Sequence, residues 1–115
     1  MRTEDLLNCT LHDLSDLKAL NIRPIDVRKL TPLTDYMVIA TGNSSRHVRA
    51  IAENLIRHMK SRQICPGSIE TDNDDEWVLV DLGIIVVHIM QQRTRDFYNL
   101  EKLWSTVYED EMALA

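Results

Sequence analysis

The sequence feature that most constrains the fold is the segment YMVIAT, residues 36–41, which is apolar at nearly every position. A short apolar run without polar alternation is typical of a strand buried in the interior of a sheet. Gly42 follows it directly and interrupts the run. The segment therefore predicts a buried central strand that is terminated by Gly42.

An amphipathic helix is predicted directly after this strand. Ser44 or Ser45 is suited to the N-cap position, because a serine hydroxyl can accept a hydrogen bond from a free backbone N–H of the first turn. Lys60 and Arg62 suit the carboxyl end, where the helix dipole favours positive charge. Apolar residues recur between these ends at helical spacing and form one stripe: Val48, Ile51, Ala52, Leu55, Ile56 and Met59.

The other strands are predicted from alternating or β-branched segments. IDVRKL, residues 25–30, has a short alternating pattern, and another short strand is expected after Gly67. The segments WVLVDL (77–82) and IIVVHIM (84–90) are rich in β-branched residues and are separated by Gly83. This arrangement predicts a tight hairpin.

Helices are also predicted near both ends of the chain. Thr3 is the expected cap of the first helix, which Asn21 is expected to end, and Thr94 is the expected cap of the last. Tyr98 falls outside the apolar face of the last helix and should point away from the core. That face is expected to pack on the sheet: Phe97, Leu100, Leu103, Trp104 and Val107.

The predicted order of elements is α-β-β-α-β-β-β-α. This order favours an α+β fold in which helices pack on a mixed five-stranded sheet. The length of 115 residues fits one domain, which we expect over residues 1–107, with residues 108–115 as a frayed tail.

The charge balance indicates the kind of partner to expect. Eighteen acidic residues and thirteen basic residues give a formal net charge of −5. Proteins that grip nucleic acid usually present a basic surface, because phosphate neutralisation supplies much of the affinity. We therefore expect no direct sequence-specific binding to nucleic acid, and a basic protein is the more natural partner.

The sequence predicts a cytoplasmic protein. No apolar run reaches membrane-spanning length, and the amphipathic start MRTEDLLNCTLHDL does not resemble a secretory signal. Cys9 and Cys65 are far apart and belong to no C-x-x-C motif, so reduced thiols are expected.

The segment TGNSSRHVRAIAENL, residues 41–55, raises the question of phosphate binding, because a small-residue turn leads from a strand into a helix. The chain has no G-x-G-x-x-G motif and no P-loop, since its glycines are Gly42, Gly67 and Gly83 only. The window ENLIRHM also lacks the acid pair that holds magnesium in nucleotidyl transfer. Helix capping is the favoured role, and phosphate binding or a polar protein contact are the alternatives.

No metal, cofactor or catalytic site is predicted. His47 and His58 are about 16 Å apart along the predicted helix axis, too far for one metal ion. The acidic residues of 72–76 lack calcium-loop spacing, and no G-x-S-x-G motif marks a nucleophile. We therefore expect a protein that is not an enzyme.

Aromatic residues are the better indication of function. Alternation places Trp77, Leu79 and Asp81 on one face of their strand, with Val78, Val80 and Leu82 on the other. Trp77 begins that strand beside the acidic loop, and the side chain of Tyr98 is predicted to point away from the core. Partly exposed Trp and Tyr residues often anchor protein interfaces, although both residues could also belong to the periphery of the core.

Four long segments at matching intervals resemble the ribosomal silencing factor family, also called RsfS or Iojap-like. They are TDYMVIATGNSSRHVRAIAENL, WVLVDLG, VVHIM and FYNLEKLWS, within a similarity that covers residues 5–105. The resemblance implies a fold related to nucleotidyltransferases but without their catalytic acids. It also implies homodimers when the protein is free.

The function that this resemblance implies is binding to large-subunit ribosomal protein fourteen, a small basic β-barrel protein on the intersubunit face. Bound there, family members block joining of the small subunit and lower translation, chiefly under nutrient limitation. Organellar relatives are linked to assembly of the large subunit. The partner contacts that carry over are Trp77, Leu82 and Tyr98. Two positions depart from the family pattern: Ile84, where Asp is usual, and Thr71, where Gly is common.

Overall fold

The computed structural model describes residues 2–72 and 74–102, and the predicted order of elements and the mixed five-stranded sheet are both confirmed. Residues 100–102 are helical again after a break at Asn99. The elements are α1 Thr3–Asp16, β1 Leu20–Asp26, β2 Tyr36–Gly42, α2 Ser45–Ser61, β3 Ser68–Thr71, β4 Trp77–Asp81, β5 Ile85–Gln91 and α3 Gln92–Tyr98.

The five strands form one sheet in the order β1-β2-β5-β4-β3. β2 and β5 are parallel, whereas the other neighbouring pairs are antiparallel. β2 lies between β1 and β5 and is buried from Met37 to Gly42, which confirms the buried strand predicted from YMVIAT. The hairpin of β4 and β5 is also confirmed, and Gly83 in its turn has a φ of 88°, a value that glycine adopts at little cost.

One face of the sheet is covered by α1 and α2. The stripe predicted for α2 is confirmed, because its members are buried except for Ile56, which is partly buried. Leu6 and Leu14 of α1 join the same core, together with Val80 and Val87 of the sheet. This layer is the main hydrophobic core of the described residues.

Gly42 allows the end of β2 to lie against the first turn of α2. A Cβ at this position would lie 2.7 Å from Cγ2 of Val48 and 2.9 Å from its backbone nitrogen. Both distances are shorter than van der Waals contact, and a backbone atom cannot move aside as a flexible side chain can. The glycine at the end of YMVIATG is therefore required for close strand–helix packing.

The opposite face of the sheet carries a smaller core, and α3 packs beside it on β5 and β2. Nη1 of the buried Arg95 donates a hydrogen bond of 2.7 Å to Oγ1 of Thr41, and Nε of Arg95 donates to Glu101. These contacts attach both α3 and the segment after it to β2. The smaller core contains Ile25, Val27, Met37, Ile39 and Met90, with Leu30, Trp77 and Leu100 packed against it.

The predicted ends of the first helix are wrong. Thr3 is the first residue of α1 and Arg2 occupies the N-cap position without a side-chain cap. The helix ends after Asp16 because Lys18 adopts a left-handed φ of 61°, and the backbone N–H groups of Lys18 and Ala19 bond back to the last turn. Asn21, the expected end, lies instead at an irregularity of β1 with a φ of 48°.

The first strand, predicted over residues 25–30, is displaced. β1 spans Leu20–Asp26, and the chain turns directly afterwards, where the N–H groups of Leu30 and Thr31 donate to the carbonyl of Val27. β1 pairs only with β2, so it is an edge strand. An edge strand tolerates Pro24, which lacks a backbone N–H, because one side of the strand faces no partner.

The last helix also differs from its prediction. α3 begins at Gln92, directly after β5, so Thr94 is a buried residue inside the helix rather than its cap. The helix ends at Tyr98 because Asn99 is left-handed, with a φ of 48°. Residues before Asn99 and residues after it therefore do not lie on one helical face. Phe97 is 81% exposed instead of buried, whereas Leu100 is partly buried as expected.

Other predictions for the end of the chain, for Leu103, Trp104, Val107 and the tail 108–115, fall outside the described residues. The single domain over residues 1–107 also stays a prediction. Cys9 and Cys65 are free thiols, as predicted. Within residues 2–72 and 74–102, no helix combines the length and apolar character needed to cross a membrane.

Candidate protein interface

Three aromatic side chains form a contiguous cluster where β4 begins and α3 ends. The rings of Trp77 and Tyr98 have centroids 4.9 Å apart and are tilted by 52°. The rings of Phe97 and Tyr98 meet edge-to-face, with centroids 5.0 Å apart. Phe97 is 81% exposed and Tyr98 is 53% exposed. We name Trp77, Phe97 and Tyr98 the aromatic cluster; so much exposed aromatic surface is typical of binding sites for other proteins.

Trp77 is held from both its backbone and its side chain. Oδ1 of Asp72 accepts hydrogen bonds from the backbone N–H of Glu76, at 2.8 Å, and from that of Trp77, at 3.3 Å. The indole Nε1–H donates to Nδ1 of His88 on β5, at 3.0 Å. The acidic loop therefore fixes the start of β4, and a neighbouring strand fixes the indole ring.

His88 is a buried histidine on the same face of the sheet as Trp77. Burial lowers the pKa of His88 to about 4, because a protonated imidazole is poorly solvated in an apolar environment. The ring is therefore neutral at pH 7, and since Nδ1 accepts the indole hydrogen bond, its proton resides on Nε2. A neutral His88 is the state in which the contact to Trp77 can form.

Carboxylates line two grooves beside the aromatic cluster. A shallow groove of about 290 Å³ beside Trp77 is lined by Glu70, Asp72 and Leu79, among others. A second groove, between Trp77 and α3, includes Asp72 and Glu76 in its lining. The cluster therefore lies in an acidic part of the surface, although Glu76 is also paired with Arg93 of α3.

Leu82 lies apart from the two aromatic residues with which the sequence groups it. It is 9% exposed and belongs to the main core under α1 and α2, on the other face of the sheet from Trp77. Leu82 is five positions along the chain from Trp77, which in an extended strand is about 16 Å. The structure thus brings Trp77 and Tyr98 together but leaves Leu82 at the far end of β4.

Both departures from the family pattern fit the structure. In the hairpin turn, Asp81 Oδ1 accepts a hydrogen bond of 2.8 Å from the backbone N–H of Gly83, and Ile84 packs against the main core. Thr71 is the last residue of β3, and its Oγ1 donates to Oδ1 of Asp75 at 3.0 Å. Neither residue interrupts β4, the strand on which Trp77 lies, or its pairing with the neighbouring strands.

The side chains of the Gly-Asn-Ser-Ser turn make contacts within the protein. Ser44 Oγ accepts a hydrogen bond of 3.1 Å from the backbone N–H of His47, so the predicted cap of α2 is confirmed. Ser45 Oγ donates to the carbonyl of Asp74 and accepts from Gln91. The imidazole of His47 accepts from the backbone N–H of Asn43 and donates to a carbonyl of α1's C-cap. These contacts favour the structural role over phosphate binding.

Ser44→Ala is expected to lower the free energy of unfolding by about 1 kcal/mol, because the N–H of His47 loses its partner. Ser61→Ala is the matched control on the same helix, since the Ser61 hydroxyl only bonds back to the carbonyl of His58. Chemical denaturation of the two variants measures the difference. Equal stabilities would contradict the capping role of Ser44.

Polar residues between α1 and α2 form a second cluster. Asp13, 1% exposed in its side chain, accepts two hydrogen bonds from Arg62, of 2.7 and 3.0 Å, and lies 3.2 Å from Nδ1 of His58. Burial alone would raise the pKa of Asp13, but the hydrogen bonds from Arg62 and His58 outweigh it and hold that pKa below its usual value. His12 and Asp16 lie close to the same carboxylate, a grouping that could hold a cation. Arg62 already supplies positive charge there, so the arrangement is that of an ion pair joining two helices.

Two features of the interface were not predicted. The exposure of Phe97 depends on the left-handed Asn99, for which the sequence gives only a weak signal. The position of His88 did have a signal, because residues opposed in a tight hairpin share a face and Leu79 is opposed to His88. Since Leu79 and Trp77 are two residues apart on β4 and share a face, His88 lies on the same face of the sheet as Trp77.

Comparison with known proteins places the chain among ribosome-associated regulators. It belongs to the RsfS family, described as "Ribosomal silencing factor during starvation", whose model matches residues 1–114. The resemblance inferred from the sequence is thereby confirmed.

Individual relatives agree with this assignment. The ribosomal silencing factor RsfS of Haemophilus influenzae is 43% identical over 100 residues, which are 87% of this chain and 98% of that protein. The "Mitochondrial assembly of ribosomal large subunit protein 1" of Mus musculus is 38% identical over 107 residues, 87% of this chain but 47% of that protein. A crystal structure from Chromobacterium violaceum superposes with a TM-score of 0.88 at 36% identity, covering 91% of this chain and 88% of the other.

Proposed function

We propose that the protein is a non-enzymatic translational repressor that binds large-subunit ribosomal protein fourteen and sterically blocks joining of the small subunit. The observation that carries the proposal is the exposed aromatic cluster of Trp77, Phe97 and Tyr98, set among carboxylates. Steric occlusion requires a docking surface and no reaction. The family name of a silencing factor supports this reading.

The aromatic cluster supplies the affinity in this proposal. Tyr98 and Phe97 present large rings that lose water on binding, and truncation of such central residues usually costs the most in protein complexes. Trp77 supports them from the sheet. Leu82 is retained as a contact at the other end of β4, but at 9% exposure we expect its share of the affinity to be small.

Charge supports a basic partner. The net charge is −5, and Glu70 and Asp72 line the groove next to Trp77. Opposite charges on two surfaces raise the rate of encounter and orient the partners before close contact forms. We therefore propose that recognition is protein–protein, in the cytoplasm, without sequence-specific contacts to ribosomal RNA, and that free molecules form a homodimer.

The proposal is tested by co-sedimentation with purified large subunits, small subunits and whole ribosomes. Binding to free large subunits only is the expected result, because whole ribosomes have the intersubunit face covered. Binding to whole ribosomes as strongly as to free large subunits would contradict occlusion. Absence of binding to every particle would reject the ribosomal function altogether.

A second candidate function is assembly of the large subunit, which the name of the mouse relative favours. The same docking surface would serve it, so co-sedimentation does not separate the two roles. Depletion of the protein does: accumulation of immature large-subunit particles supports assembly, whereas excess subunit joining during starvation, with normal particles, supports silencing. A nucleotidyltransferase activity, the remaining alternative, would require turnover of a nucleotide with magnesium, and we expect none.

A further inference from the structure

The indole of Trp77 lies between a buried imidazole and an exposed phenol. On one side its Nε1–H donates to His88 Nδ1 at 3.0 Å, with ring centroids 5.7 Å apart. On the other side its ring contacts Tyr98, with centroids 4.9 Å apart. One hydrogen bond therefore connects the interior of the sheet to the aromatic cluster on the surface.

The acceptor in this hydrogen bond is itself firmly placed. His88 is 6% exposed and lies on β5, between its neighbours Leu79 on β4 and Ile39 on β2. An indole N–H can only donate, and a neutral imidazole offers one nitrogen that can only accept, so the two groups match in one orientation. The position of His88 thus determines the orientation of a ring that is partly in solvent.

We propose that His88 is a positioning residue for partner binding: its hydrogen bond fixes the Trp77 indole so that the indole supports Tyr98 in the orientation that the partner recognises. This inference rests on the proposed function, because it assigns His88 a part in that recognition. Fixing a side chain before association reduces the conformational entropy lost in the complex. His88 makes no contact with the partner itself.

The test uses the full chain with Trp104→Phe, which leaves Trp77 as the one tryptophan and hence one indole N–H signal in nuclear magnetic resonance. His88→Leu removes the acceptor but keeps an apolar side chain of similar bulk. His88→Asn is the matched variant, because the Asn Oδ1 lies near the position of Nδ1 and can accept the same hydrogen bond. Thermal melting of each variant is recorded on the same preparations.

With His88→Leu we expect the indole N–H signal to move upfield and its hydrogen exchange to accelerate. Affinity for large ribosomal subunits should fall about fivefold, the usual effect of losing one hydrogen bond between neutral groups. His88→Asn should restore the indole signal and most of the affinity. This rescue separates positioning from general stability, because the smaller Asn packs less well than Leu in a buried site.

Other outcomes overturn the inference. An unchanged indole signal in His88→Leu would show that the hydrogen bond does not exist in solution. A shifted signal with wild-type affinity, or equal loss of affinity in His88→Leu and His88→Asn, would show that the hydrogen bond has no role in binding. If the Trp104→Phe protein and the wild type both fail to bind large subunits, the proposed function fails as well, whereas the indole signal still reports the hydrogen bond independently.

Discussion

Tyr98→Ala is expected to weaken binding to large ribosomal subunits at least about thirtyfold and to leave the free energy of unfolding nearly unchanged. A central aromatic residue of an interface typically contributes at least about 2 kcal/mol by truncation, which corresponds to that factor. Tyr98 is 53% exposed and touches Trp77 with its ring, so its loss removes contact surface without opening a buried cavity. Binding is measured by sedimentation and stability by chemical denaturation.

Leu20→Ala is the matched control for this variant. Leu20 is 47% exposed, close to the value for Tyr98, but it lies on β1, at the edge of the sheet away from β3 and β4. It should bind large subunits like the wild type. If Tyr98→Ala also binds like the wild type, the interface assignment is wrong; if Tyr98→Ala unfolds, Tyr98 is needed by the fold instead.

Arg62→Met is expected to lower the free energy of unfolding by about 3 kcal/mol. The substitution leaves the carboxylate of Asp13, 1% exposed, without the guanidinium that donates two hydrogen bonds to it. A buried charge that loses its partner usually costs about 3–5 kcal/mol, and the nearby His58 reduces the cost here. Lys60→Met removes an exposed charge from the same end of α2 and should change stability little.

The pH dependence of the free energy of unfolding provides a second test of the ion pair between Asp13 and Arg62. Because the pKa of Asp13 is lowered in the folded protein, its ion pair adds stability above the unfolded pKa, and that stability is lost as pH falls through the folded pKa. In Arg62→Met the pKa of Asp13 should rise, so this source of acid destabilisation disappears. The difference in stability between Arg62→Met and Lys60→Met should therefore shrink as pH falls, and equal stability of the two variants at neutral pH would contradict the role of the pair.

α2 could be predicted because its apolar residues repeat with the helical period, and β2, β4 and β5 could be predicted because their segments are short, apolar and rich in β-branched residues, whereas the bounds of β1 were wrong. YMVIAT indicates only a buried strand, and the stripe from Val48 to Met59 indicates only an amphipathic helix. The hairpin follows from Gly83 between two β-branched segments. The ends of α1 and α3 could not be predicted because Lys18 and Asn99, and not glycines, adopt the left-handed conformation that stops each helix. Lysine rarely adopts this conformation and asparagine adopts it only at some positions, so neither residue type marks a helix end by itself.

Local sequence indicates residues of the candidate site but not the contacts between them. Trp77 is indicated by its place beside the acidic loop and Tyr98 by its place outside the apolar face of its helix, but their contact joins residues distant in sequence and depends on how α3 packs. The sequence predicts a buried Phe97 only because it predicts one continuous helical face from Phe97 to Val107. Because the helix ends before Asn99, Phe97 does not share a face with Leu100; it is exposed and adds to the surface that binds, on our proposal, the ribosomal partner.

The direct passage from β5 into α3 has a consequence for changes in chain length. Gln91 ends the strand and Gln92 begins the helix, so no loop lies between the hairpin and Tyr98. One inserted or deleted residue in β4 or β5 would exchange the two faces of the strand beyond it, so that core and surface residues change places. The segment from Trp77 to Tyr98 should therefore tolerate no insertions or deletions, whereas the loop around Leu33, which is 86% exposed, can change in length without disturbing the aromatic cluster.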